Sequence, residues 1–484
     1  MVNPSTQFPS GSPENLANSV NSANSASSPS ELVQRQRDFF ALGYTRSLDY
    51  RLRRLQELRR ALVEWEPRLA DALGQDLGKS EFEVLSSEVG FTLVELDLAI
   101  KNLPKWMRSR WVGLPLTLLP GSGQVTPEPL GVVLIMGAWN YPVQLTLVPL
   151  IGAIAAGNCA IVKPSEVAPH CSRAIAELLQ RTFDPMYVTA VEGGANTCQA
   201  LLEERFDHIF YTGGPTIAKM VMALAAKNLT PVTLELGGKN PCVVDETVDI
   251  EVAARRIVWG KLFNAGQTCL AVDHLWVHRS LKSQLLQQIA RTIAEFYGEV
   301  PEQSPDYGRI INQHHCDRLQ RLIHSGGRVV FGGNIIPNQR YIAPTLIDDV
   351  PGNSPLMQEE IFGPLLPILT YDNIDDILRY INSQPSPLAV YLFSKARDRQ
   401  QQFIQETRSG AIVLNDAVIQ AAAPNLPFGG VGQSGIGQYH GKASFDCFTH
   451  NKSILKRPFW IDVNIRYAPY TSQKLNLLRR LMGI

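Results

Sequence analysis

The sequence contains no stretch approaching the roughly 18–20 apolar residues needed to span a bilayer, so a soluble protein is expected. Its seven cysteines, at 159, 171, 198, 242, 269, 316 and 447, form no Cys-x-x-Cys pair and no zinc-like cluster. A disulfide framework is therefore set aside, and reduced thiols in a cytoplasmic setting are expected. Neither His-Glu-x-x-His nor a two-His-carboxylate spacing occurs among the nine histidines. No metal is expected, and the histidines, His314-His315 included, are expected at the surface. An excess of one charge is missing too, because 45 Lys and Arg balance 45 Asp and Glu. Without a basic stripe there is no reason to expect nucleic acid as a partner, and a small neutral ligand suits the balance better. The first thirty residues, rich in Ser, Asn and Pro, lack Lys, Arg and any sustained apolar run. That composition excludes a usual secretory signal and predicts a disordered tail.

What is present points to an α/β protein. At 484 residues the chain can form two or three domains with a cleft between them. From residue 29 to about 107, apolar residues recur at three- and four-residue intervals among charges, as in amphipathic helices lying on a larger body. A Pro- and Gly-rich stretch, PLTLLPGSGQVTPEPLG, then predicts a hairpin or crossing segment. After Gly131 short apolar strands (GVVLIMGA, CAIVKP, MYVTAVEG, HIFYTG, PVTLEL) alternate with helical segments such as LTLVPLIGAIAAG, CSRAIAELLQRTF and TIAKMVMALAAK. This rhythm implies a parallel, doubly wound sheet with ligands at the strands' carboxyl ends. A second β/α run continues from NPCVVDETVDIEVAARRIVWGKLFNAGQ to about Asn425.

Six short motifs carry possible chemistry. GVGQSG, with Gly430, Gly432 and Gly435, matches G-x-G-x-x-G but follows no buried strand, so it is read as a structural loop. HIFYTGGPTIAKMV runs from a strand through Gly213-Gly214 into a helix with Pro215 in its first turn, where free N–H groups and the dipole suit a pyrophosphate. IVKPSE ends a strand with Lys163 and Glu166, a pair able to hold a ribose or simply two surface charges. LELGGKN places Glu235 at an apolar strand end, where desolvation raises a carboxyl toward the pKa of a useful base. GAWNYP puts Asn140 just after a buried strand, where its amide can donate to an oxyanion or close a structural turn. Cys269 stands apart from Cys159, Cys171 and Cys242, which sit in apolar runs and read as structural thiols. It follows Asn-Ala-Gly-Gln-Thr, read as a strand-edge loop whose glycine and N–H donors serve a reactive sulfur.

Together the segments EPLGVVLIMGAWNYP, GNCAIVKPSE, FYTGG, LELGGKNP, FNAGQTC, QEEIFGPLLPI and LPFGGVGQSGIGQYHGKASFDCFTH resemble the aldehyde dehydrogenase superfamily, and the chain is most similar to its class 3 and fatty-aldehyde branch. The resemblance implies a Rossmann-like cofactor domain, an α/β catalytic domain and a small bridging β element that pairs with a second subunit in a homodimer. In this numbering the cofactor domain would combine 31–111 with 131–235, the catalytic domain would span 236–425, and the bridge would combine 112–130 with 447–465. The implied activity is oxidation of aldehydes to carboxylic acids with NAD, NADP or both. Cys269 would be the nucleophile, Asn140 and the Cys269 N–H the oxyanion donors, and Glu235 the base that activates water. Glu235 and Cys269 stand 34 residues apart, in keeping with the family pattern. Lys163 and Glu166 would meet the adenosine ribose, Gly213 the pyrophosphate region, Glu360 the nicotinamide ribose and Phe362 the nicotinamide, with Thr212 a secondary cofactor contact there. The phosphate turn departs from the family at Ala218, where a second glycine is usual. Glu166 disfavours a 2′-phosphate by charge, while the branch accepts both cofactors.

The small residues of AVIQAAAPNLPFGG suggest room for a large apolar substrate, either medium- to long-chain or aromatic. Two alternatives remain at this point: an aldehyde dehydrogenase that passes its acyl group to coenzyme A, and a non-catalytic binding protein on the same fold. Residues 466–484 end in SQKLNLLRRLMGI, which spaces Leu475, Leu478, Leu481 and Met482 helically beside Lys474, Arg479 and Arg480. Such a helix either meets a membrane or gates a lipid-like substrate, or it docks on the body or on a partner subunit.

Overall fold

The computed structural model describes residues 28–483. The expected disordered tail lies outside the described residues as far as 27, whereas residues 28–30 already belong to an ordered start. Ser28 caps the helix Pro29–Ala41: the Glu31 N–H donates to its hydroxyl and its own N–H donates to the Glu31 carboxylate. This reciprocal cap outweighs the low-complexity composition around it.

The first sheet has six strands. Val132–Met136, Cys159–Lys163, Val188–Ala190, His208–Gly213 and Val232–Leu236 run parallel, arranged across the sheet in the order third, second, first, fourth, fifth. Val132–Met136 and Cys159–Lys163 are buried along their whole length, which is why they read as unbroken apolar runs rather than alternating ones. The order reverses between Val132–Met136 and His208–Gly213, and ligands of doubly wound sheets collect at such a reversal. The loops opening there carry Asn140 and the Gly213-Gly214 turn. GVGQSG opens no helix; it turns into the short strand Gly435–Ile436, which pairs antiparallel with Val232–Leu236 and sets Gly435 opposite Glu235.

Seven strands form the second sheet, in the order Arg328–Phe331, Thr345–Asp348, Leu365–Tyr371, His274–His278, Pro241–Val244, Ala389–Phe393, Ala411–Leu414. All neighbours are parallel except the first pair. A third, antiparallel sheet joins Arg110–Val112, Ser122–Pro129 and Thr449–Lys456. Thr449–Lys456 is its outer strand, and one side of its backbone ladder has no partner among the described residues.

The long helix Leu48–Leu77 buries Leu55, Leu58, Leu62, Trp65, Leu69 and Leu73, a stripe at three- and four-residue steps. Gln144–Ala156 is buried on almost every face and so shows no polar stripe. The histidines depart from the surface expectation, because His208, His274 and His440 are buried. Burial holds His208 down to about 4, and a neutral imidazole fits a core strand once its Nε2 meets the Thr233 hydroxyl at 3.0 Å. The helix Ser472–Met482 forms as its spacing predicts, but no residue of it is buried. Among the described residues nothing buries its apolar face.

Candidate active site

Cys269 lies on the connection from helix Ile250–Leu262 to strand His274–His278 rather than at the edge of a strand. The helix ends where Asn264, Ala265 and Gly266 take left-handed φ values of 54°, 51° and 76° in succession. Such backbone costs a residue with a Cβ roughly 1–2 kcal/mol, so the turn must be held. Gly266 has no substitute there, because an added Cβ would lie 2.3 Å from the Gly363 carbonyl oxygen.

The polar residues before Cys269 supply that hold. Asn264 donates its amide to the carbonyls of Asn140 at 2.8 Å and Gln267 at 3.1 Å. Gln267 is fully buried; its amide donates to the carbonyls of Asn264 at 3.1 Å and Arg309 at 2.9 Å, and its oxygen accepts from the Ile311 N–H at 2.9 Å. Thr268 pairs its hydroxyl with that of Tyr141 at 2.6 Å, and Asn240 donates to the Cys269 carbonyl at 2.7 Å. These side chains therefore brace the loop and do not dress the sulfur directly, contrary to the sequence expectation. The reason is that left-handed backbone leaves carbonyls and amides that only side chains can satisfy. The group directed at the sulfur is the Leu270 N–H, which pulls the thiol pKa down while burial, then the Glu235 and Glu360 charges, push it well above its usual range.

Glu235 sits in the last parallel strand of the first sheet, 2% exposed, and its Oε1 has no hydrogen-bond partner among the described residues. Burial raises its pKa to about 8; the Cys269 thiol facing it opposes the rise and the Glu360 charge adds to it. Asn140 is buried and donates its side-chain amide to the Gln267 carbonyl at 3.1 Å, leaving its second N–H to spare. The Cys269 thiol and the Glu235 carboxyl thus face each other, and the Asn140 amide is tied to the carbonyl of Gln267, two residues before the cysteine.

Glu360 is half-buried beside the glycine pair that follows Glu235. Its Oε1 accepts the Gly238 N–H at 3.1 Å, and a Cβ on Gly237 would lie 2.1 Å from its other oxygen. Burial raises Glu360 to about 8 as well, opposed by the Gly238 N–H and by the charges of Lys239 and Arg318. Phe362 takes a left-handed φ of 47° and packs edge-on against Trp139 with ring centroids 5.3 Å apart, while His315 packs on the same indole at 4.9 Å. The sequence reading passed over the clamp behind this loop. Lys239 binds Asp273 and donates to the carbonyls of Leu356 at 2.8 Å and Glu359 at 2.9 Å. Asp273 in turn accepts the Ile361 N–H at 2.9 Å, and Arg318 donates to the Ile361 carbonyl at 2.6 Å. Lys239 and Asp273 stand 34 residues apart, so no local pattern announces the pair.

A cleft of about 490 Å³ opens beside these groups, lined among others by Pro215, Thr216, Gly237, Gly238, Glu360 and Gln433. Gly213 ends its strand and Gly214 caps the helix Pro215–Ala226, so the strand-turn-helix unit is present. Thr212 lies opposite Glu235 in the sheet, buried, and its hydroxyl has no partner among the described residues. Ala218 is buried in the first turns of that helix, and its methyl is accommodated there. Lys163 is buried and holds the exposed Glu166 in an ion pair. No hydrogen bond or ion pair joins that pair to Glu235 or Glu360 among the described residues. Its strand stands three places from the Glu235 strand, about 14 Å at ordinary strand spacing.

The model of the aldehyde dehydrogenase family matches residues 16–454. The chain is 46% identical over 433 residues to the 4,4'-diaponeurosporen-aldehyde dehydrogenase of Staphylococcus aureus, covering 89% of this chain and 94% of that protein. It is also 46% identical to a dimeric, NADP-preferring aldehyde dehydrogenase of Rattus norvegicus, over 88% of this chain and 94% of the relative. Among solved structures, a substrate-bound state of Staphylococcus aureus AldH superposes with a TM-score of 0.92 at 44% identity, covering 94% of this chain and 99% of the other. An indole-3-acetaldehyde dehydrogenase complexed with NAD+ superposes with a TM-score of 0.80 at 26% identity over 89% of each chain. Agreement of this degree along nearly all of its described length means that this chain belongs to the aldehyde dehydrogenase family.

Proposed function

We propose that the protein oxidises apolar aldehydes, medium- to long-chain or aromatic, to carboxylic acids with NAD or NADP, using Cys269, Asn140 and Glu235. The observation that carries this reading is a partly buried thiol facing a carboxyl with an unsatisfied oxygen, with a spare amide N–H of Asn140 held on the same loop through the Gln267 carbonyl. The Cys269 sulfur, its proton released to solvent, attacks the aldehyde carbon as the thiolate. Asn140 and the Cys269 backbone N–H stabilise the oxyanion that forms. NAD(P), when bound, supplies the acceptor for the hydride that leaves the former carbonyl carbon, and the enzyme is left as a Cys269 thioester. Glu235 then takes a proton from water, whose oxygen attacks the thioester; the acid departs and the thiol is restored.

The residues present fit such a cofactor. The cleft, the orphaned Thr212 hydroxyl, the open glycine backbone at 237–238 and the helix start at Pro215 offer donors and room for a pyrophosphate. Lys163 and Glu166 would hold the adenosine ribose, Gly213 and Thr212 the pyrophosphate region, Glu360 the nicotinamide ribose and Phe362 the ring. In domain terms the first sheet with its helices would be the cofactor unit, 236–425 the catalytic unit, and the three-stranded sheet the bridge.

A homodimer is supported by the outer strand Thr449–Lys456, unpartnered on one side among the described residues, by the exposed Phe459 and Trp460 just after it, and by the exposed Trp111 on the strand at the other edge of the same sheet. Peripheral membrane contact is supported by the exposed Leu475, Leu478, Leu481 and Met482 beside Lys474, Arg479 and Arg480. Among the described residues no helix is long and apolar enough to cross a membrane. The free cysteines fit a cytoplasmic setting.

The test is a chain-length series of straight and aromatic aldehydes scored by kcat/KM with each cofactor. Efficiency is expected to rise with apolar size, and Cys269→Ala to reduce turnover to background with every aldehyde. A preference for short polar aldehydes would overturn the substrate class, and turnover by Cys269→Ala would overturn the mechanism.

A further inference from the structure

The turn that carries Asn140 is gripped by an ion pair in the interior that makes no hydrogen bond to Cys269 or Glu235 among the described residues. Lys79 and Glu88 have no exposed side-chain surface, and their Nζ and Oε1 atoms are 2.6 Å apart. The Lys79 ammonium also donates to the Asn140 carbonyl at 3.0 Å and lies 3.8 Å from the centre of the Tyr141 ring. Glu88's second oxygen accepts the N–H groups of Val143 at 3.0 Å and Gln144 at 2.9 Å, at the start of helix Gln144–Ala156. The segment from Asn140 to Val143 is thus held at its beginning by the cation and at its end by the anion.

Local backbone is shaped to seat both partners. Gly78 takes a left-handed φ of 64° just before Lys79, and a Cβ there would come within 2.9 Å of the Arg309 side chain. Leu77 accepts the Arg309 N–H at 2.7 Å, and the Arg309 carbonyl receives Gln267 of the Cys269 loop. Glu88 lies in a single π-helical turn, Leu85–Val89. Such turns break regular helical bonding and are retained where a side chain must be redirected. The Gly90 N–H closes the turn on the Leu85 carbonyl, and a Cβ on Gly90 would lie 2.2 Å from that oxygen. A buried ion pair is a poor stabiliser beside an apolar pair of the same volume, so the arrangement calls for a positional reason.

We propose that Lys79, seated by Glu88, is a positioning residue: it fixes the Asn140–Tyr141 turn so that the Asn140 amide stays aimed at the carbonyl oxygen of an aldehyde attached to Cys269. The proposal rests on the reading of Asn140 as an oxyanion donor. Lys79 acts through Asn140 and touches neither substrate nor cofactor.

The test compares Lys79→Met/Glu88→Leu, which removes both charges together, with Asn140→Ala and with the three changes combined. Decanal is the substrate, and the readouts are the unfolding midpoint, the rate of Cys269 alkylation by iodoacetamide and the rate of the NADH burst. The burst of the double variant is expected to slow at least about tenfold, short of the roughly 10²–10³-fold expected for loss of the donor itself. Alkylation should stay within about twofold of the parent, and in the Asn140→Ala background the same pair should add no further loss. Where Lys79→Met/Glu88→Leu does not yield folded protein, Lys79→Gln/Glu88→Gln carries the same comparison. A folded pair variant with a normal burst, slowdowns that multiply in the combined variant, or alkylation lost in step with the burst would each overturn the proposal. A slow Asn140→Ala beside a normal pair variant sinks the proposal alone, whereas an unimpaired Asn140→Ala sinks the oxyanion assignment and the proposal with it.

Discussion

Glu235, buried two residues before the Gly237-Gly238 pair, and Glu360, half-buried against that pair, are two carboxyls both raised to about 8 by burial. Their surroundings differ. Glu235 keeps one oxygen without a partner and faces the Cys269 thiol, while Glu360 receives the Gly238 N–H and is flanked by Lys239 and Arg318. A raised pKa therefore does not by itself assign a role; the open valence and the direction in which it points do. On the proposed reading Glu235 exchanges a proton and Glu360 holds the cofactor in place.

Separating the two carboxyls by experiment tests that contrast. Glu235→Gln should show the largest effect: steady turnover falls by about 10²–10⁴, the span expected for a general base, while the burst of NADH survives. In the parent enzyme, turnover limited by acyl release should rise with pH through about 8, the value burial gives Glu235, and that rise should vanish in Glu235→Gln. A burst lost in proportion to turnover would assign Glu235 to an earlier step. Glu360→Gln should cost less, roughly 10–100-fold for a charge-assisted hydrogen bond, and should slow the burst and raise the cofactor KM while leaving acyl release alone. A slow release step with a normal burst would reverse the two assignments.

The smallest effect concerns stability. Both carboxyls have folded pKa values above the ordinary 4.5, so the native state keeps protons that the unfolded chain releases. Their contribution is complete below pH 4.5 and is lost as pH rises through about 8. Glu235→Gln/Glu360→Gln should consequently gain stability over the parent as pH increases, read from denaturant midpoints at about pH 5.5 and about pH 8.5. Parallel midpoints would mean that the carboxyls are solvated in the native state.

The strands of the first sheet were legible because burial on both faces leaves apolar runs with glycine at their ends, as in Val132–Met136 and His208–Gly213. Cys269 was legible as an unusual cysteine, and Glu235 as a carboxylate in an apolar strand. The work of Asn264, Gln267 and Thr268 was misread, since a polar run beside a thiol looks the same whether it serves the sulfur or braces a left-handed turn. The buried histidines were also misplaced, because neutrality in a core depends on contacts such as that of His208 with Thr233.

By itself the sequence determined the class of fold and the family, because these depend on local periodicity, glycine placement and motif. Only the tertiary structure decided that Cys269 faces Glu235, that the Asn140 amide reaches the Gln267 carbonyl, that Lys239 and Asp273 clamp the Glu360 loop, and that Lys79 and Glu88 grip the Asn140 turn. Those pairings depend on burial and on the approach of chain segments up to some 127 residues apart, such as Asn140 and Gln267. A charged side chain carries no sign in the sequence of whether it will face water or a buried partner.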